Sequence, residues 1–117
     1  MQVSIAIKGL EGSGKSDSIR NYITETFTKV EDFLNRESWA PITVEMIATV
    51  SALHAKHEFE VIIHTGHFKV IVKKEDTDVY KLINKVMDVV LDQLHEHKRR
   101  DVDKKKHGGD DDFNRPG

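Results

Sequence analysis

The chain has 117 residues, no cysteine and a net charge of −2, which indicates one domain with one modest core and excludes a disulfide framework and a thiolate metal site. No apolar run reaches membrane-spanning length and the N-terminus has no signal-peptide pattern, so a cytoplasmic protein is expected. Residues 1–66 carry six basic and nine acidic side chains (net −3), whereas residues 67–107 carry eleven and eight (net +3), which allows a local phosphate-binding face in the second half.

The first two predicted elements are a strand and a helix. Apolar residues alternate over residues 2–8 and predict a strand. An amphipathic helix follows, with Ser16 expected as its N-cap, and Pro41 in "RESWAP" marks its end because helix is disfavoured before proline. The inward residues of the strand are Val3, Ile5 and Ile7. The apolar face of the helix consists of Ile19, Tyr22, Ile23, Phe27, Val30 and Leu34.

Three more strands are predicted in the middle of the chain. Period-two alternation covers residues 42–51, 57–64 and 67–75. The stretch "HTGH" contains a glycine and predicts a tight hairpin turn between the last two strands, and "ALHAK" predicts the other turn.

A second, long helix is predicted over residues 77–100, capped by Asp76 or Thr77. Its expected buried stripe is Val79, Ile83, Val86, Val90 and Leu94, flanked by Tyr80, Leu82 and Met87. Residues 101–117 have no apolar period and contain blocks of like charge. We therefore expect one domain over residues 1–100 and a charged, disordered tail over 101–117.

The predicted element order is βαβββα, an α+β fold. A right-handed crossover makes the first two strands parallel neighbours, and the last three form an antiparallel meander. The expected architecture is a two-layer sandwich with a four-stranded mixed sheet and both helices on one face. The other face is expected to be mostly polar. Its expected members are Gln2, Ser4, Thr43, Glu45, Thr49, Glu58, Glu60, Lys69 and Lys73.

The stretch "GLEGSGKS", residues 9–16, fits the phosphate-loop pattern of nucleotide-binding proteins. Such an NTPase also needs a strand that ends in a metal-binding Asp, and it uses several consecutive βα units. The nearest sequence, "VVLD" at 89–92, lies inside the long helix. We therefore interpret the glycines as a lengthened turn, with a phosphate contact at Lys15 and the helix N-terminus as the narrower alternative.

The histidines and carboxylates do not indicate a reaction. Histidines pair at three-residue spacing at His54/His57 and His64/His67, but these positions fall in predicted turns, and no cysteine supports a zinc site. Glu58 and Glu60 share an exposed strand face. The sequence therefore predicts no catalytic residue, no metal site, no cofactor and no small-molecule substrate.

Basic residues concentrate on the helices. Lys81 and Lys85 are four residues apart on one side of the second helix, and "HKRR" at 97–100 lies near its end. Arg20 and Lys29 are on the first helix. Two helices side by side would present these cations on one outer surface, which favours contact with phosphates of RNA over a small ligand.

Several segments in this order resemble the ribosome hibernation-promoting factor / ribosome-associated inhibitor A family, whose members are also called sigma 54 modulation proteins. The opening "MQVSI", the capped helix start "SDSIRNYI" and its continuation "FTKVEDF" are similar to the first half of that family's domain. The most similar stretch is residues 75–100, where Asp78-x-Tyr80-x-x-Ile83 matches a family signature.

The resemblance implies a non-enzymatic, short-form factor that binds the small ribosomal subunit and its rRNA in the mRNA and tRNA channel and silences idle ribosomes under stress. It also implies that Tyr80 and Ile83 anchor the second helix to the sheet. With Lys81 added from its position beside Lys85, the expected rRNA contacts are Arg20, Lys29, Lys81, Lys85, Lys98, Arg99 and Arg100. Two alternatives stay open: a nucleotide-binding protein that uses residues 9–16, and a generic module for double-stranded RNA.

Overall fold

The computed structural model describes the backbone of residues 1–9, 15–51 and 56–114 and the side chains through residue 101. The predicted turn "ALHAK" falls mostly outside these residues. The elements occur in the predicted order βαβββα. They are β1 (Gln2–Lys8), α1 (Lys15–Arg36), β2 (Thr43–Thr49), β3 (His57–His64), β4 (Lys69–Asp76) and α2 (Val79–Asn114).

The four strands form one mixed sheet in the order β1-β2-β3-β4. β1 is parallel to β2, with Gln2 opposite Thr43, and the other two pairs are antiparallel. Because α1 connects the parallel pair and connections of only seven and four residues join the other strands, the pairing follows from the connection lengths. The predicted crossover and meander, and with them the α+β fold, are confirmed.

Both helices pack on one face of the sheet. α2 lies over β3 and β4, and α1 lies beside α2 and contacts β1. The inward alternate positions of the central strands are buried, and Phe59 on β3 is fully inaccessible to solvent. The buried core residues of the helices are Ile19, Ile23, Phe27, Val30, Phe33, Leu34, Leu82, Ile83, Val86, Met87, Val90 and Leu94. The predicted stripes are confirmed except at Tyr22 and Val79, which are only partly buried. Phe33 joins the first stripe, and Leu82 and Met87, predicted to flank the second, are buried in it.

The helix ends differ from the sequence-based expectation. α1 begins at Lys15, so Ser16 lies in the first turn and is not the N-cap. At α2 the cap is Asp78, whose Oδ1 accepts the N–H groups of Tyr80 and Lys81 at 3.0 and 3.2 Å. Neither Asp76 nor Thr77 is the cap, because Asp76 Oδ1 instead accepts the N–H of Asp78 at 3.0 Å.

The backbone of α2 continues to Asn114, so the predicted helix end near residue 100 is wrong. The added segment, residues 101–114, contains three lysines, which favour helix, and five aspartates and two glycines, which do not. Its helix therefore depends on propagation from the packed segment before it. The division into a domain over 1–100 and a tail over 101–117 stays a prediction.

The turn between β3 and β4 is tight, as predicted, and it docks on the segment after α1. The N–H of Gly66 donates to the Trp39 carbonyl at 2.7 Å. A Cβ at Gly66 would lie 2.8 Å from the Ala40 carbonyl oxygen, so glycine is what allows the two backbones to approach. Thr65 Oγ1 closes the turn by accepting the N–H of Phe68 at 2.8 Å.

Gly9, the first glycine of the phosphate-loop pattern, has a structural role. Its φ is +95°, and an added Cβ would fall on the carbonyl oxygen of Val50 at the end of β2. Glycine is therefore required where the chain leaves β1, whether or not a nucleotide binds.

Replacing Gly9 with alanine is expected to lower the free energy of unfolding by about 2–3 kcal/mol, because the new methyl group meets backbone that cannot yield and φ is strained. Urea denaturation followed by circular dichroism measures this loss. Ala6→Gly, an exposed change in the same strand, is the control and should cost no more than about 1 kcal/mol. Equal effects of the two changes would contradict the role of Val50.

Candidate nucleic-acid interface

Over residues 79–101, where the side chains of α2 are described, its exposed side carries cations at both ends and acids between them. Residues three or four apart on a helix share one side. This outer ridge consists of Lys81, Lys85, Asp88, Asp92, Glu96 and Arg99. Lys81 and Arg99 are separated by about 27 Å along the axis, at 1.5 Å per residue. The outer surface on which the sequence predicts a continuous group of cations is therefore divided into two basic clusters, which we call the first cluster (Lys81, Lys85) and the second cluster (Lys98, Arg99, Arg100).

In the first cluster, one cation is paired inside the protein. Lys85 Nζ donates to Asp76 Oδ2 at 2.6 Å. This hydrogen bond holds the pKa of Asp76 at about 2. The Lys81 ammonium makes no hydrogen bond or ion pair among the described residues, and it is exposed at the start of the helix. The pair positions Lys85, and Lys81 is available to a phosphate.

The lowered pKa of Asp76 predicts a loss of stability in acid. A carboxyl whose pKa falls from 3.8 to about 2 on folding stabilises the folded state above pH 4, and this contribution disappears as the pH falls from about 4 to 2. Lys85→Met should therefore destabilise the protein at pH 6 and have a much smaller effect at pH 2. Thermal unfolding at both values tests this, with Lys81→Met as the control. An equal Lys85→Met effect at both values would contradict the pairing.

The two predicted cations of α1 differ in their surroundings. Arg20 Nη1 donates to the Ile5 carbonyl at 3.1 Å, so this guanidinium partly serves to hold α1 against β1. Lys29 lines a groove between the helices together with Glu25 and Asp88. These carboxylates lower the positive potential of the groove, so Lys29 contributes to a mixed surface and not to a continuous basic one.

The second cluster is also internally paired. Lys98 Nζ lies 3.1 Å from Glu37 Oε2 at the end of α1, and 5.6 Å from the centre of the Phe33 ring. Arg99 and Arg100 both approach Glu96, at 2.6 and 3.5 Å. The hydrogen bond from Arg99 lowers the pKa of Glu96. These three consecutive cations lie on one turn of α2, and Glu37 and Glu96 pair with them among the described side chains.

An aromatic cluster fixes the second basic cluster in space. The His97 ring stacks on Phe68 at 3.9 Å and 3°, and Phe68 meets Trp39 edge-to-face at 4.8 Å. Trp39 Nε1 donates to Asp101 Oδ2 at 3.0 Å across 62 residues of sequence. His95 packs edge-to-face on Phe33 at 4.5 Å. The sequence does not predict this cluster, because "RESWAP" indicates only a helix end through Pro41. The available signal is a tryptophan in a polar linker.

Tyr80 does not lie where the family resemblance predicts it, whereas Ile83 does. Ile83 is buried under the sheet, as expected. Tyr80, however, is 40% exposed and packs edge-to-face on Tyr22 of α1, with ring centres 4.9 Å apart. Asn84 Nδ2 donates to the Tyr22 hydroxyl at 2.6 Å. Tyr80 therefore helps to join the two helices and does not anchor α2 to the sheet.

The phosphate-loop hypothesis finds little support in the fold. The described part of the chain contains one βα unit with a parallel strand pair, and "VVLD" lies within α2. Lys15 is exposed at the start of α1, and residues 10–14 lie outside the described part of the chain. Within the described residues, neither helix has an apolar stretch long enough to cross a membrane, and no three histidine or acidic side chains gather as metal ligands would.

This geometry defines a class of protein, a small α+β sandwich with basic clusters on its helix layer. The family model described as Sigma 54 modulation protein / S30EA ribosomal protein matches residues 7–102. The chain therefore belongs to this family. A curated relative, the ribosome hibernation promoting factor of Azotobacter vinelandii, is 27% identical over 106 residues, which cover 91% of each chain.

Two solved structures share the fold. The N-terminal domain of Thermus thermophilus Protein Y matches with a TM-score of 0.64 at 18% identity, over 83% of this chain and 99% of that one. A ribosomal subunit interface protein from Coxiella burnetii matches with a TM-score of 0.58 at 19% identity, over 85% and 99%. At these identities the likeness shows the fold alone.

Proposed function

We propose that this chain is a ribosome-associated translation inhibitor that binds the rRNA of the small ribosomal subunit in the mRNA and tRNA channel under stress. Membership of the family and the likeness to a ribosome hibernation promoting factor support the ribosome as partner. A cytoplasmic location follows from that partner. The observation that carries the proposal is the pair of basic clusters on one helix layer.

The spacing of the clusters suits RNA better than a small ligand. The two clusters are about 27 Å apart along α2. This distance is longer than a single nucleotide, so the clusters would contact two separate stretches of the backbone of a folded RNA. The acids between the clusters disfavour a continuous phosphate track across the middle of the helix. The protein would thus bridge two rRNA segments, and its body would occupy the space between them.

The internal ion pairs suit this role because they hold the cations in place before binding. A lysine or arginine already positioned by Glu37 or Glu96 loses less side-chain freedom when it meets a phosphate. Inhibition would be simple occlusion of the channel, with no chemical step. No enzymatic function is proposed.

Co-sedimentation of the protein with purified small subunits tests the proposal. Neutralising about three to four phosphates should make log K fall with log salt concentration with a slope of about −2 to −3.5. Large subunits and a free RNA duplex of equal phosphate concentration are the controls. Folded protein that does not sediment with small subunits at low salt would refute the proposal, and equal binding to the free duplex would favour the generic RNA-binding alternative.

A further inference from the structure

The helix layer covers one edge of the sheet better than the other. On the edge strand β4, the inward side chains Val70 and Val72 are buried. On the other edge strand, β1, the side chains of Val3, Ile5 and Ile7 point toward the helices, as their buried register neighbours on β2 do. None of these three is fully buried, and Val3 is 42% exposed. The β1 edge therefore leaves apolar surface open to solvent.

The same three residues present backbone groups at this edge. The N–H of Gln2 and the carbonyl of Lys8 bond to the residues that flank β2, so the backbone groups of the even-numbered residues point toward β2. Because these directions alternate along a strand, the N–H and C=O groups of Val3, Ile5 and Ile7 point away from the sheet. The edge thus combines open hydrogen-bonding groups with apolar side chains.

β1 has little of the protection that usually blocks pairing at a sheet edge. Charged side chains and proline commonly supply that protection. β4 carries five charged side chains in eight residues, whereas β1 carries one in seven, Lys8 at its end. At the middle of β1, Arg20 Nη1 of α1 donates to the Ile5 carbonyl at 3.1 Å. Within the described residues, no other side chain bonds to the outward groups of β1.

We propose that the β1 edge pairs with the β1 edge of a second copy of this chain, and that Arg20 restrains this pairing. An antiparallel arrangement about a twofold axis at Ile5 makes the outward groups of the two strands face each other, because odd-numbered residues then lie opposite odd-numbered residues. Val3 lies opposite Ile7 of the second copy, which joins apolar side chains on the helix side. This edge is separate from the basic clusters, so the inference goes beyond the proposed function.

The chemistry of the edge fits a second copy better than other occupants. Phosphates need cations, and six of the seven residues of β1 are uncharged. An extended segment rich in charge would set its charged groups against the apolar side chains of the edge. The strand's own sequence instead places an apolar side chain opposite each of its three inward residues, and its lysine lies opposite a glutamine. The twofold arrangement also closes, so it gives a dimer and not a fibre.

The pairing is expected to be weak in the unchanged chain. One strand from each copy is much less than the roughly 20–30 residues per partner of a stable interface. Each Arg20 must also release the Ile5 carbonyl, and the two guanidinium groups come together near the twofold axis, where like charges repel. Removing Arg20 eliminates both costs.

Sedimentation equilibrium of Arg20→Ala tests the inference. Loss of the two arginine hydrogen bonds and of the repulsion should lower the Kd of the dimer about tenfold relative to the unchanged chain. Lys29→Ala, which removes an exposed cation from another side of α1, should leave this Kd unchanged. Adding Val3→Pro to Arg20→Ala should abolish the dimer, because proline has no N–H to donate at the edge. Circular dichroism shows whether the double variant is folded.

Hydrogen exchange identifies the surface that pairs. In the Arg20→Ala dimer, the N–H groups of Val3, Ile5 and Ile7 donate to the second copy, so their exchange should slow as the protein concentration rises. Amides of β4 should show no such change. This measurement needs no further variant, so it decides the matter even if Val3→Pro does not fold.

Several results would overturn the inference. They are an Arg20→Ala variant that stays monomeric up to about 1 mM, equal Kd values with and without Arg20, or a dimer that persists in the folded double variant. Protection confined to β4, or to the open face of the sheet, which lies opposite the helices, would also overturn it. The experiment contains no ribosome, so its failure is separate from failure of the proposed function.

Discussion

Replacing Arg99 and Arg100 together with glutamate is expected to weaken binding to small ribosomal subunits about a hundredfold at moderate salt. Each change removes a cation from the second cluster and adds an anion beside Glu96, so phosphate attraction becomes repulsion. The affinity of the variant should also depend less on salt, because fewer counterions are released when it binds. Filter binding or co-sedimentation across a salt series measures both effects.

The matched control is Lys8→Glu/Lys69→Glu, which makes the same change in net charge on the open face of the sheet. If the helix layer meets the rRNA, this variant should lose much less affinity. Equal losses in the two double variants would mean that overall charge, and not the second cluster, determines binding. No loss in either would contradict electrostatic binding through these arginines.

Trp39→Ala is expected to lower the free energy of unfolding by about 3–5 kcal/mol, since it empties a large buried volume. Trp39 is 3% exposed and contacts Phe33 and Phe68, and its indole N–H bonds Asp101. The loss should also free the second cluster from its fixed position, so affinity for small subunits should fall even under conditions where the variant is fully folded. Chemical denaturation and co-sedimentation measure the two effects.

Two further variants separate packing from hydrogen bonding. Trp39→Phe keeps most of the ring volume and loses the bond to Asp101, so it should cost about 1–2 kcal/mol. Tyr80→Ala removes a partly exposed ring contact and should cost about 1 kcal/mol. A Trp39→Ala loss no larger than that of Tyr80→Ala would contradict the anchoring role of the aromatic cluster.

The fold was largely predictable because it depends on local periodicity. Alternation in β2, β3 and β4 and the three-four spacing of α1 are visible in the sequence, and one crossover followed by a meander leaves few topologies. The cap of α2 was less predictable, since Asp76, Thr77 and Asp78 are adjacent and all suit the role. Only the backbone geometry shows that Asp78 accepts the orphan N–H groups.

The sequence shows which residue types form the candidate site, but it does not show which of these residues contact each other. The cations on both helices could be identified from the sequence, whereas the partners of Lys85 and Lys98 could not, because ion pairs such as Lys98–Glu37 join distant segments. The division of the basic surface likewise depends on which side of α2 faces outward. Ile62 and Ile71 interrupt the polar surface of the open face, and the sequence does not predict this because both lie in continuous apolar runs, where period two does not tell one face from the other.

Directed cleavage of rRNA tests the central claim most directly. The chain has no cysteine, so a single introduced thiol can carry a hydroxyl-radical-generating iron chelate at a chosen place. With the probe at Asp92→Cys, between the two basic clusters, we expect strong cleavage of small-subunit rRNA at the channel. With the probe at Thr43→Cys, on the open face of the sheet, cleavage should be much weaker. Strong cleavage only from Thr43→Cys, or none from either in a complex that still co-sediments, would contradict binding through the helix layer.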